Sequence, residues 1–113
     1  MPTKDTKSAR KFYEKQLGLT FLREDPGALI FDSNGTAIRV IQIEPHVPAP
    51  FSILGWSVDD VRDCAERLHE NGIELQRYPG LEQDALGIWT SPGGSLVAWF
   101  TDADGNVLSI TEG

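Results

Sequence analysis

The period of apolar and polar positions changes along this chain, and the change occurs twice in the same order. Ala9, Phe12, Tyr13, Gln16 and Leu17 recur at helical spacing behind a capping run, Asp5-Thr6-Lys7-Ser8. Gly18 stands where a left-handed C′ residue would end that helix. From Leu19 the period shortens to two. Residues 20–24, 28–32 and 36–44, rich in Ile, Val, Leu and Phe, read as strands. Asp25-Pro26-Gly27 and Ser33-Asn34-Gly35 are the turns between them, and the Asn-Gly pair predicts a tight hairpin. Glu44-Pro45-His46-Val47-Pro48-Ala49-Pro50 then places three prolines in seven residues. Proline has no N–H to give a ladder, so this stretch predicts a linker.

The plan then restarts. Residues 51–58 form an apolar strand, and Asp59-Asp60 caps a helix whose inner face is Val61, Cys64, Ala65 and Leu68, closed by Asn71-Gly72. Residues 73–77, 86–90 and 96–100 are expected strands, Asp102-Ala103-Asp104-Gly105 a tight turn, and residues 106–111 the last strand. Asp5 and Asp59 lie 54 positions apart, as do Gly18 and Gly72. Gly35 and Gly105 are offset by 70, because the second half carries about sixteen further residues around positions 78–92. Two copies of a βαβββ unit follow: module one 1–44, linker 45–50, module two 51–113, in a single 113-residue domain. The fold class is α+β, with the strands in a curved, cup-like mixed sheet and the helices outside. The first module has only residues 1–4 before its helix, so its opening strand is expected to be truncated by about five residues. That would leave a neighbouring strand edge unpaired, and pairing of that edge predicts a homodimer.

Composition narrows the partners. The chain has 17 acidic against 10 basic residues, a net charge of −7, and no basic run longer than Arg10-Lys11. A phosphate backbone rewards clustered cations, so nucleic acid is not an expected partner. No apolar run approaches the ~20 residues that span a bilayer, so no membrane partner is expected. The N-terminal residues have no apolar segment of signal-peptide type, and Cys64, the one cysteine, cannot form an internal disulfide. The expected location is cytoplasmic.

Four strings carry a family resemblance. Ser8-Ala9-Arg10-Lys11-Phe12-Tyr13-Glu14-Lys15-Gln16-Leu17-Gly18-Leu19 looks like a first-helix signature, and Phe31-Asp32-Ser33-Asn34-Gly35-Thr36 a hairpin. Leu54-Gly55-Trp56-Ser57-Val58-Asp59-Asp60-Val61 resembles a second-module entry, and Trp99-Phe100-Thr101-Asp102-Ala103-Asp104-Gly105-Asn106 a closing turn. In order and at this spacing they are similar to the vicinal oxygen chelate superfamily of glyoxalases, bleomycin-resistance proteins and ring-cleaving dioxygenases. Metal-using members of that superfamily place ligands on the first and last strand of each module. Carried over, those positions fall on Ile53, Ser109 and the neighbourhood of Arg39, and the fourth precedes Met1. Ile has no donor atom, Arg is cationic and a lone Ser hydroxyl binds metal poorly, so no metal and no cofactor are expected. Of the histidines, His46 lies in the linker and His69 on the outer face of the second helix.

Strand parity selects the candidate ligand contacts. If Leu54, Trp56 and Val58 pack under the helix, then Ile53, Gly55 and Ser57 face the cup, with Val107, Ser109 and Thr111 beside them. Arg39, between Ile38 and Val40, shares the cup face with Ala37 and Ile41. It either orients an anionic ligand or pairs with a neighbouring acid. Trp89 and Trp99 either sandwich a flat ligand or serve the core. Cys64 reads as a small buried hydrophobe, and Glu24, Asp25, Glu82 and Asp84 form no recognisable acid/base pair. The expected function is metal-independent binding of a small molecule, flat or anionic, at Arg39, Ile53, Gly55, Ser57, Trp89, Trp99, Val107 and Ser109. Two alternatives stay open: a lyase or isomerase of the glyoxalase type, and a protein-interaction module with a vestigial cup.

Overall fold

Asp5 caps the first helix as its position implies, its carboxylate accepting from Lys7 N at 3.0 Å and from the Ser8 hydroxyl at 2.8 Å. In the computed structural model, which describes residues 1–43 and 48–113, α1 (Thr6–Arg10) runs on into a π-helical segment, Lys11–Gln16. Leu17 N bonds Phe12 O five residues back, and Gly18 follows at φ 84°. The second helix, α2 (Val61–Glu70), is α-helical throughout, and its cap is Asp60, whose side chain accepts from Asp63 N. Cap-to-glycine spacing is therefore one residue longer in the first module. The extra residue is accommodated by the wider π turn. The 54-residue offset read between Asp5 and Asp59 holds for the glycines, whereas the two caps are offset by 55.

The chain divides into two compact units, Met1–Pro48 with Asp102–Asn106, and Ala49–Thr101 with Val107–Gly113. The first holds a sheet of order β1-β4-β3-β2, made of β1 (Pro2–Thr3), β2 (Thr20–Asp25), β3 (Ala28–Ser33) and β4 (Thr36–Gln42). The second holds β5-β8-β7-β6, made of β5 (Ser52–Ser57), β6 (Trp89–Thr90), β7 (Leu96–Thr101) and β8 (Val107–Glu112). In each, the opening strand pairs in parallel with the last and the other pairs are antiparallel, so the repeat deduced from the sequence is a repeat of topology. The two modules expected from the sequence are two four-stranded mixed sheets, one in each unit. The Asn34-Gly35 turn takes φ 49° and 91°, the left-handed pair of a type I′ hairpin. Residue 44 of the third expected strand, and 45–47 of the linker with His46, lie outside the described residues.

The opening strand is short, as expected, but the edge beside it is not bare. Ile41 N donates to Met1 O and Ile43 N to Thr3 O, both at 2.7 Å. Met1 and Thr3 make the ladder contacts, so the N–H that Pro2 lacks is not needed there. Pro2 O turns instead to Asn106 Nδ2 at 2.8 Å. The Asp102–Asn106 turn holds this segment: Lys4 N donates to Asp104 Oδ1 and the Thr3 hydroxyl to Asp104 Oδ2. Its centre is a buried carboxylate, Asp102. Oδ1 accepts from Asp104 N and Asn106 N, and Oδ2 from Asn106 Nδ2 and the Tyr13 hydroxyl at 2.7 Å. Tyr13 lies in the core with Phe12, Phe31, Leu29 and Val40. Burial, with the Asp102 carboxylate beside it, pushes the Tyr13 phenol far above its ordinary value.

In the second unit Val61, Ala65 and Leu68 of α2 are buried with Ala98, Phe100, Leu108 and Ile110, and Trp56 stacks on Phe100. Glu112 Oε1 accepts from Val61 N at the start of α2. Cys64 is half-buried, and burial, with Asp63 nearby, pushes its thiol up and away from thiolate chemistry. Two expected strands change. Residues 73–77 contribute one bridge, Leu75 to Phe100, and 86–90 shrink to Trp89–Thr90. Side chains satisfy much of the backbone there. Gln83 accepts from Tyr78 N and donates to Gln76 O and Gly87 O, while Asp84 Oδ1 accepts from Leu86 N and Ile88 N. A segment whose amides are met this way has less need of a ladder partner.

Candidate functional site

One face of the second sheet is closed by α2 and the other is open. On the open face Gly55, Ser109 and Trp99 form a row across three strands, Gly55 opposite Ser109 and Ser109 opposite Trp99. Parity places Ile53, Ser57, Val97, Val107 and Thr111 around them, and Ile53 is 37% exposed. Trp89 pairs with Val97, which brings its ring to 5.9 Å from Trp99. Seven of the eight residues proposed from the sequence thus share this face: Ile53, Gly55, Ser57, Trp89, Trp99, Val107 and Ser109.

Two further residues belong with them. Tyr78 meets Trp99 edge to face at 5.5 Å, so three rings form one half-buried cluster. Its position in a loop gives no periodic signal. Tyr78 N donates to Gln83 Oε1 and Tyr78 O accepts from Leu81 N, which holds its backbone there; an aromatic in an insertion that the other module lacks was a usable hint. Burial pushes the Tyr78 phenol up, so it stays a neutral hydroxyl. Ser52 is the second. Parity assigns it to the helix side with Leu54, but a bulge between Ser52 and Leu54 breaks the alternation. The Ser52 hydroxyl sits 3.0 Å from that of Ser109.

Gly55 has a steric role in this row. A Cβ at that position would lie 2.6 Å from Ser109 Oγ, so the hydroxyl occupies the space that any other residue would fill. The strand residues of this face include no carboxylate, imidazole or cation. It offers aromatic faces, aliphatic surface and hydroxyl groups. The arrangement suits stacking and a few neutral hydrogen bonds.

Arg39 belongs to the first unit. It lies on the face of β4 away from Ile38 and Val40, with a side chain 58% exposed. Asp25 Oδ2 is 4.0 Å away, and Asp25 also holds Arg23 at 3.3 Å. The arginine is therefore loosely paired. Of the carboxylates, Asp84 caps its own loop and binds Arg62 at 2.9 Å. Burial would raise it, but hydrogen bonds from Ile88 N, Arg62 and Leu86 N outweigh that and hold its carboxyl below the ordinary range.

The positions carried over for a metal, Arg39, Ile53 and Ser109, supply a cation, a hydrocarbon and one hydroxyl. That donor set does not fit a divalent ion. Among the described residues no three of His, Cys, Asp and Glu gather in a group that could hold one. No helix of the described residues is long and apolar enough to cross a membrane.

Residues 1–110 match the family model of the Glyoxalase/Bleomycin resistance protein/Dioxygenase superfamily. No curated protein sequence matches significantly. Among solved structures, lactoylglutathione lyase from Agrobacterium tumefaciens superposes with a TM-score of 0.74 at 19% identity, over 100% of this chain and 89% of that one. A glyoxalase family protein from Enterococcus faecalis gives 0.74 at 21% identity, over 98% and 91%. TnmS3, an antibiotic binding protein from Streptomyces sp. CB03234, gives 0.71 at 24% identity, over 99% and 89%. At these identities the likeness is one of fold.

Proposed function

The chain belongs to the Glyoxalase/Bleomycin resistance protein/Dioxygenase superfamily, and from that premise we propose that it binds a small molecule without a metal, on the open face of its second sheet. The observation that carries this reading is the ring cluster of Tyr78, Trp89 and Trp99 beside the Ser109 hydroxyl. Three half-buried rings on a face free of ionisable strand residues favour a flat ligand held by stacking. Ile53 and Val107 supply aliphatic surface, Gly55 leaves the Ser109 hydroxyl room, and Ser57 adds a hydroxyl at the end of β5. That this face has no general base is why the binding reading is preferred to a lyase or isomerase. Arg39 is the contact for an anionic ligand on the first unit, because its one carboxylate partner is distant and shared. The likeness in fold to TnmS3, named as an antibiotic binding protein, supports this reading.

We extend the proposal to a cytoplasmic homodimer. Its support is narrower than the sequence implied, because Met1 and Thr3 already cover β4 at Ile41 and Ile43. Sedimentation equilibrium should return twice the 12.5 kDa chain mass. A monodisperse monomer at high concentration would remove the dimer and leave the ligand site standing.

For the ligand site, a library of flat aromatic and anionic metabolites is titrated while tryptophan fluorescence is followed. Hits should lose their signal in Trp99→Phe, and anionic hits should weaken roughly ten- to a hundredfold in Arg39→Ala, the worth of a charge-assisted hydrogen bond. Hits indifferent to both substitutions would place binding elsewhere.

A further inference from the structure

The second unit has another concavity, on the helix side of its sheet. It has a volume of about 330 Å³ and is lined by Ala65 and His69 of α2 and by Glu74, Leu75, Arg77, Ala85 and Leu86. That volume is at the lower end of the range for small-ligand sites. Ala85 and Leu86 of its wall come from the insertion that the first module lacks. The insertion is built firmly. Gln83 ties three backbone groups together, Asp84 takes two amides, and Gly87 packs so closely on Leu75 that a Cβ there would lie 3.1 Å from Leu75 Cβ.

Arg77 gives the cavity its chemistry. Its Nη2 donates to Asp84 O at 2.7 Å and Ala85 O at 2.8 Å, which fixes the guanidinium at the wall. Arg10, Arg23, Arg39, Arg62 and Arg67 each have a carboxylate in ion-pair range, and among the described residues Arg77 has none. A guanidinium held by neutral carbonyls keeps its full charge and N–H donors for an incoming anion. His69 adds a ring N–H on the same wall. Glu74, on the same lining, would repel a simple anion and attract an ammonium group. Ala65, Leu75, Ala85 and Leu86 give the lining its aliphatic surface.

We propose that this cavity binds a free amino acid with an apolar side chain. The carboxylate meets Arg77 and His69, the ammonium meets Glu74, and the side chain lies on Ala65, Leu75 and Leu86. The site lies on the opposite face of the sheet from the aromatic cluster and does not depend on it.

The test uses the full chain, labelled with ¹⁵N, titrated to millimolar concentrations with L-leucine, L-methionine and L-valine. Two half-molecules, 4-methylpentanoate and 3-methylbutan-1-amine, serve as comparisons. At least one amino acid should shift the amides of His69, Leu75 and Leu86 saturably, with tryptophan fluorescence unchanged, and both half-molecules should bind at least tenfold more weakly. Arg77→Met should cost the amino acid at least tenfold while leaving the amine unaffected, and Glu74→Gln should do the reverse with the carboxylate. Arg77→Lys, which keeps the charge, should recover part of the binding and shows whether a loss in Arg77→Met is due to misfolding. If no amino acid moves these amides, or if the shifts survive both substitutions, the assignment is wrong. A response confined to Trp89 and Trp99 would overturn it while supporting the site on the other face.

Discussion

Replacing Tyr13 by Phe removes one hydroxyl from the core and nothing else. The ring keeps its edge-to-face contact with Phe12 at 5.1 Å and its tilted contact with Phe31 at 5.6 Å. What disappears is the 2.7 Å bond to Asp102 Oδ2, one of four donors to a carboxylate that is 7% exposed. A hydrogen bond to a charged acceptor in a site that water cannot easily refill is worth about 1.5–3 kcal/mol. For a domain near this size that corresponds to a fall in melting temperature of roughly 6–12 °C. The pH dependence gives a second, independent readout. Unfolded tyrosines lose their proton near pH ~10, whereas folded Tyr13 is held neutral by burial and by Asp102. Above that pH the unfolded state binds fewer protons than the folded state. The stability present below pH ~10 is then lost as pH rises, by up to ~1.4 kcal/mol per unit for this one group. Chemical denaturation from pH 7 to 11 should show that descending limb in the native chain and a shallower one in Tyr13→Phe. A loss below about 0.5 kcal/mol at pH 7, together with superimposable alkaline limbs, would refute the role assigned to the Tyr13–Asp102 bond.

Other expectations follow from single contacts. Gly55→Ala should destabilise by about 1–3 kcal/mol, because its Cβ meets the Ser109 hydroxyl, and adding Ser109→Ala should recover most of that loss in urea denaturation. Asp60→Ala should cost about 1 kcal/mol as loss of a helix cap, and Asp59→Ala much less; equal losses would contradict the cap assignment. After dialysis, elemental analysis should find well under one equivalent of Zn, Ni, Fe or Mn, and one tightly held equivalent that is lost on substituting Ser109 or Arg39 would overturn metal independence.

The one-dimensional pattern determined most of the local structure. Period, caps and turn residues placed both helices and the β2-β3-β4 hairpins, because each depends on residues close in the chain. The repeat gave the topology of both sheets, since two copies of one pattern fold alike. Parity placed Gly55, Ser57, Val107 and Ser109 on one face of the second sheet and Arg39 on its face of β4, because an unbroken strand alternates strictly. Tertiary structure decided the rest, wherever a distant group substituted for a local one. The bulge at Ser52 cannot be read from alternation, since it is the interruption of alternation. The strands expected at 73–77 and 86–90 gave way where side chains meet the backbone: Gln83 takes the Gln76 carbonyl and the Tyr78 amide just beyond it, and Asp84 takes the Leu86 and Ile88 amides. The Asp102–Asn106 turn, locally a tight turn like any other, anchors Tyr13, Thr3 and Pro2 across some hundred residues of chain. The π segment of the first helix lies in a hydrogen-bond pattern, Leu17 N to Phe12 O, that apolar spacing does not distinguish from an α-helix. Tyr78 has no periodic signal, and Arg77 stands at the end of an expected strand that forms only the Leu75 bridge. A loop side chain takes its position from long-range hydrogen bonds, and those are set by the fold.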